Sequence, residues 1–203
     1  MALNANALTS LAALKLRLGI DNTDTSNDDE LTNYINEVSE LVQSNLRRNL
    51  KAQDYTNELY QGNDEQDLLL DNYPINSIAQ IEYRYYHPGA FYVIEPDEYF
   101  IHRKKYSVVR EYGWYRFGSA TRYLTKVEFP FYNIRITYNA GYTTIPSDIE
   151  GLVKDIIADM YTRVRTGGQG LKQYRIADIA MTWKDGLSDL QKSILGRYRK
   201  RRF

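Results

Sequence analysis

Apolar side chains change their spacing twice along this chain, and that switch limits the fold more than any other feature. Up to residue 46 they recur every three or four positions, the period of a helix with one buried face. From about Tyr55 to Tyr142 they alternate, and from Ser147 the helical period returns. Such a chain has to bury helical stripes at its two ends and pleated faces in its middle. The fold class that follows is α+β: a small helical bundle of about four helices with a large Tyr-rich β-strand insertion. Residues 1–56 are expected to supply the N-terminal helices and 57–142 the β-module. Residues 143–203 are expected to supply the C-terminal helices, an extended arm and a basic tail.

Local signals sharpen these elements. Leu11, Leu14 and Leu18 mark a first helix, with Thr9 as its expected N-cap and Gly19 just past its end. After the polar turn DNTDTSNDDE, Asn27 and Glu30 have the spacing of a capping box for a second helix. Its apolar stripe is Leu31, Ile35, Val38, Leu41, Val42 and Leu46, and Arg47 and Arg48 fall where cations suit the helix dipole. Ser147 and Glu150 form a second S-x-x-E pair, preceded by Pro146 and followed by the stripe Ile149, Leu152, Val153, Ile156, Ile157, Met160. Ser188 and Gln191 cap a last helix carrying Leu190, Ile194, Leu195 and Tyr198. Before it, RTGGQG reads as a loop and YRIADIAMTW as a short strand or extended arm. In the middle, NELYQG, DLLLDNYPI and SIAQIEYRYY read as successive strands, with turns at Gly62-Asn63-Asp64 and Asn72-Tyr73-Pro74.

The residues that usually carry chemistry are sparse. The chain has no Cys, which removes disulfides, thiolate nucleophiles and Cys-ligated zinc. His87 and His102 are the only imidazoles and lack the spacing of metal ligands. Asp97 with Glu98, or Glu111, could in principle make a glycosidase pair. TGGQG follows a helix and lacks the Gly-Lys-Ser/Thr ending of a phosphate loop. The acidic turn lacks the central Gly of a calcium loop. No catalytic residue, cofactor or metal is therefore expected. Lys plus Arg equals Asp plus Glu at 26 each, so global charge does not drive the chain to nucleic acid. No run reaches the ~18 apolar residues of a membrane span, and Met1–Ser10 does not have the pattern of a signal peptide.

Two features point toward binding. Twelve of the 19 Tyr lie between Tyr83 and Tyr142. Tyrosine suits half-exposed strand faces, but it is also a common building block of protein interfaces and of stacking platforms for sugars or bases. The C-terminal RYRKRRF places five cations in seven residues, which reads as a solvated tail, a phosphate-binding run or an arm that docks in an acidic groove on a partner.

The order of the pieces resembles the head–tail connector (adaptor, or head-completion) proteins of tailed bacteriophages. Residues 8–50 are similar to that family's first two helices with their Asp-rich joint. LYQGNDEQDLLLDNYPINSIAQIEY is similar to its following strands. ITYNAGYTTIPSDIEGLVKDIIADMYTRV is similar to its strand, AGY turn, Pro and apolar helix. LKQYRIADIAMTW followed by GLSDLQKSILGRYR is similar to its C-terminal arm and final helix. Residues about 84–126 depart from compact members and imply an expanded β-module.

The resemblance implies a structural, non-enzymatic virion protein of the neck, made and assembled in host cytoplasm. It implies a homo-oligomeric ring, a dodecamer in the virion, seated under the portal protein. Such a ring extends the DNA channel without sequence-specific binding and offers a platform to a tail, stopper or tail-completion protein. Portal docking is then expected from Trp183, Arg197, Tyr198, Arg199, Lys200, Arg201, Arg202 and Phe203. The alternative from another class is a carbohydrate-binding or carbohydrate-active β-module, for which saturable sugar binding would quench Trp114 or Tyr fluorescence.

Overall fold

A computed structural model of the protein describes residues 2–84, 89–115, 132–165 and 188–199. The chain divides into two compact units, Met1–Lys51 with Thr143–Phe203, and Ala52–Tyr142. The class is α+β, as the switch in apolar period implies.

Among the described residues the first unit holds four helices: α1 (Leu11–Leu18), α2 (Asp28–Leu46), α3 (Ser147–Arg165) and α4 (Asp189–Tyr198). The core is the meeting of two stripes. Leu31, Ile35, Val38, Val42 and Leu46 of α2 are buried, as are Ile149, Leu152, Val153 and Ile157 of α3. Leu14 of α1 completes that core, while Leu16 stays exposed. Buried Gln43 of α2 ties down two flanking strands of backbone. Its Nε2 donates to Asn6 O at 3.2 Å, and its Oε1 accepts from Leu50 N at 3.1 Å.

Three of the expected helix caps differ in detail, each because a tertiary partner competes. Ser10, one residue after Thr9, caps α1 by accepting from Ala13 N at 3.2 Å. Thr9 Oγ1 instead donates to Glu150 Oε1 at 3.1 Å. Asn27 does precede α2, but its side chain makes no cap bond and accepts from Arg165 at 2.8 Å. Ser147 is the first residue inside α3, where the Pro146 carbonyl accepts from Glu150 N at 3.0 Å. The Glu150 carboxylate is held by Thr9 and Lys154, so no reciprocal box forms. Helix α2 ends at Leu46 with Arg47 left-handed at φ 58° and Arg48 buried beyond it, so neither arginine sits in the last turn. Gly19 closes α1 at φ 69°, and the Ser188–Gln191 box on α4 is complete in both directions.

Among its described residues the second unit carries two antiparallel sheets. One has the order β1-β7-β3-β4, formed by β1 (Gln53–Tyr60), β7 (Ile134–Ala140), β3 (Ile75–Tyr83) and β4 (Tyr92–Val93). The other has the order β2-β6-β5, formed by β2 (Asp67–Leu69), β6 (Ser107–Arg110) and β5 (Tyr99–Ile101). Strand β7 shows why the sequence alternates. Ile134, Ile136, Tyr138 and Ala140 are buried, and Arg135, Thr137 and Asn139 face the other way. It pairs with β1 from Gln53↔Ala140 to Tyr60↔Ile134, across a bulge at Asn57.

Two glycines are dictated by geometry. A Cβ on Gly62 would collide with the Trp114 and Tyr115 carbonyl oxygens. Gly141, in the AGY turn, sits at φ 112° and donates to Pro74 O at 2.9 Å.

Candidate interaction surface

The C-terminal helix is where sequence concentrates charge, and its attachment is light. Of its residues only Leu195 is buried, while Leu190 is exposed. The hold at its far end is polar. Tyr198 Oη donates to Asp148 Oδ1 at 2.8 Å and lies 3.1 Å from Oδ2. Arg197 reaches Asp148 Oδ2 at 3.2 Å. Asp148 stands in the first turn of α3, where the helix dipole already favours a carboxylate. Two of the expected docking residues, Arg197 and Tyr198, thus converge on one carboxylate. Arg199 ends the helix in extended conformation, its N–H donating to Leu195 O at 3.1 Å. Trp183, Lys200, Arg201, Arg202 and Phe203 lie outside the described residues, as do the TGGQG loop, the YRIADIAMTW arm and His87.

Among the described tyrosines of the β unit, two groups stand out. Tyr60 and Tyr138 point inward at Glu58. Each phenol donates to Glu58 Oε2 at 2.6 Å, the two hydroxyls are 3.0 Å apart, and Asn72 Nδ2 reaches Oε1 at 3.3 Å. Tyr55 stacks on Tyr138 with ring centroids 5.3 Å apart. Burial pushes the Tyr60 and Tyr138 phenols well above the ordinary tyrosine range. The other population faces solvent: Tyr92, Tyr112, Tyr115 and Tyr132, together with Phe100 and Val93. The Phe91 ring lies within cation–π distance of two guanidinium groups, Arg84 at 4.8 Å and Arg135 at 4.4 Å. Arg135 is also held by Glu82 through two bonds of 2.6 Å. Exposed aromatics and arginines are residue types that protein contacts favour.

The same geometry bears on the enzyme-like alternatives. Trp114 is fully buried, its Nε1 donating to Val108 O at 3.1 Å, so it offers no face to a sugar. Its role is core packing beneath Arg110. Glu98 is bonded to Arg110, and that bond holds its carboxyl below the usual range, opposite to what a general acid requires. His102 Nδ1 accepts from Lys104 N at 3.1 Å and its ring lies against Tyr106, a loop-structuring role.

The acidic turn is filled from within. Lys15 Nζ donates to Asp24 O at 2.8 Å, approaches Asn22 O at 3.4 Å and pairs with Asp28 Oδ1 at 2.5 Å. Hydrogen bonds from Thr23 and Ser26 hold the Asp21 and Asp24 carboxyls below their ordinary value. Among the described residues no group of three His, Cys, Asp or Glu could hold a metal ion, and no helix is long and apolar enough to cross a membrane.

Sequence reasoning missed Asp148, Glu58 and Lys15. The first two gather partners from distant positions, so no local motif announces them. Lys15 carried a signal: a lysine beside Leu14, four residues before the helix-ending Gly19 and close in sequence to an acidic turn.

Residues 7–163 match the family model described as head completion protein. Among solved structures the chain is similar to one in the neck of an empty GTA particle computed with C6 symmetry. They share 13% identity and a TM-score of 0.54, over 100% of this chain and 97% of that one. It is similar to a chain in the virion of a native gene transfer agent (GTA) particle, at 13% identity and TM-score 0.53, over 100% and 94%. A chain in the neck of a native GTA particle computed with C12 symmetry gives 12% identity and TM-score 0.50, over 100% and 97%. At such identities the likeness concerns the fold. No curated protein matches the chain.

Proposed function

The chain belongs to the head completion protein family, and from that premise we propose that it is a structural subunit of a virion neck, acting through binding and geometry with no reaction. In this reading copies of the chain form a closed ring under the portal protein. The ring extends the DNA channel and presents a platform to a tail, stopper or tail-completion protein. The observation that carries the reading is the span of the family match, which runs from the segment before α1 to the last turns of α3 and so takes in both units. The neck particles that contain chains of similar fold are computed with C6 and C12 symmetry, which supports a cyclic assembly and a twelve-fold one in particular.

Portal docking falls to the C-terminal helix and the basic run after it: Arg197, Tyr198, Arg199, Lys200, Arg201, Arg202 and Phe203, with Trp183 upstream. The exposed aromatics of the β unit, including Tyr92, Phe100 and Tyr112, serve a neighbouring subunit or the tail side.

The test is co-sedimentation with the portal encoded by the same genome, followed by electron microscopy of the complex. A ring stacked on one face of the portal is the expected result. Folded protein that leaves intact portal rings bare would refute the reading. Buried Trp114 offers the carbohydrate alternative no stacking face.

A further inference from the structure

We propose that Arg197 and Tyr198 form a carboxylate-recognition pair for an acidic segment of the portal, and that Asp148 occupies this pair in the free subunit as an internal competitor. The inference rests on the docking reading above. Its physical basis is the chemistry of the contact. A phenolic hydroxyl donates to one carboxylate and a guanidinium pairs with the same group by charge, a combination that favours an anion carrying acceptor oxygens.

The contact is also exchangeable. Arg197 and Asp148 keep 61% and 28% of their side-chain surface exposed, so water and a second carboxylate can reach both. The rest of α4 contributes one buried side chain, Leu195, so the hydrophobic hold on the helix end is small. Charge favours exchange as well: the C-terminal run carries five cations in sequence, and Asp148 supplies a single negative charge at this contact. A partner segment with several carboxylates can satisfy the Arg197–Tyr198 pair and the neighbouring cations together, which Asp148 cannot. Surface pairs of this kind are worth little individually, so the latch delays docking without forbidding it.

The internal competitor lowers apparent affinity by the fraction of time the pair is occupied. An occupancy near nine-tenths costs about tenfold. Portal binding is measured for the full chain, for the Asp148→Ala variant and for a chain ending at Gly196, at one fixed salt concentration. Amide exchange over Asp189–Arg199 is followed in parallel. The Asp148→Ser variant, which keeps a first-turn acceptor, serves as a second version that protects the start of α3.

The expected result is binding about three- to tenfold tighter for both Asp148 variants, faster exchange at the end of α4, and loss of binding for the truncated chain. Unchanged or weaker binding of the Asp148 variants, with the truncated chain still defective, would overturn the competitor and leave the docking reading standing. Full binding by the truncated chain would overturn the docking reading itself, and the competitor with it.

Discussion

Replacing Lys15 with Met keeps the aliphatic stem and removes only the ammonium, so it isolates what that charge does for the acidic turn. The Lys15 side chain is 4% exposed and its ammonium meets Asp28, Asp24 O and Asn22 O. Breaking a fully buried pair by removing one partner costs about 3–5 kcal/mol. Asp28 Oδ1 is buried, but the side chain as a whole keeps 29% of its surface, so water at the rest of the carboxylate recovers part of its solvation and the electrostatic loss falls to roughly 1–2 kcal/mol. The two carbonyls lose donors at about 0.5–1 kcal/mol each. The sum is about 2–4 kcal/mol. The assay is urea unfolding followed by far-ultraviolet circular dichroism at 222 nm, which reports the helical unit. A double-mutant cycle with Asp28→Asn should return a coupling of at least about 1 kcal/mol. A Lys15→Met loss under about 0.5 kcal/mol would refute the reasoning, because it would mean that water serves this ammonium as well as the turn does.

Other perturbations follow from the β unit. Burial raises the Tyr60 and Tyr138 pKa values above their ordinary 10, so the unfolded chain loses these protons first as pH climbs. Their contribution is complete below pH ~10 and declines above it, by about 1.4 kcal/mol per pH unit for each phenol; Tyr138→Phe should flatten that decline in alkaline denaturation, and an unchanged slope would count against the burial argument. Glu58→Gln weakens both phenol bonds and should cost about 1–2 kcal/mol in chemical denaturation. Gly62→Ala forces a methyl onto two backbone carbonyls and should cost at least about 2 kcal/mol or shift the Trp114 near-ultraviolet signal, since that segment has to move.

Features decided within a few residues were legible in advance. The Ser188–Gln191 box formed as its spacing predicts, and so did the buried stripes of α2 and α3 and the alternation of Ile134, Ile136 and Tyr138. What could not be read was set by partners far along the chain. Glu150 had the right spacing to cap Ser147, but Thr9 and Lys154 supply its donors. Trp114 looked available because aromatic density in sequence does not distinguish a buried ring from an exposed one. The pairing of β7 between β1 and β3 joins segments about 60–80 positions apart, which periodicity cannot assign. For the proposed docking surface, a cluster of cations was visible, whereas the Asp148 that faces Tyr198 lies fifty positions upstream.

The way the β unit begins and ends has a consequence for how such chains diversify. Its entry and exit strands are hydrogen-bonded neighbours, with Gln53 opposite Ala140 and Ala52 N donating to Tyr142 O at 3.0 Å. Departure and return are therefore one strand spacing apart, ~5 Å. A segment whose two junctions nearly coincide can lengthen, shrink or be exchanged without displacing the residues on either side. Evolution can remodel what this part of the chain touches while the α2 and α3 stripes go on packing as before.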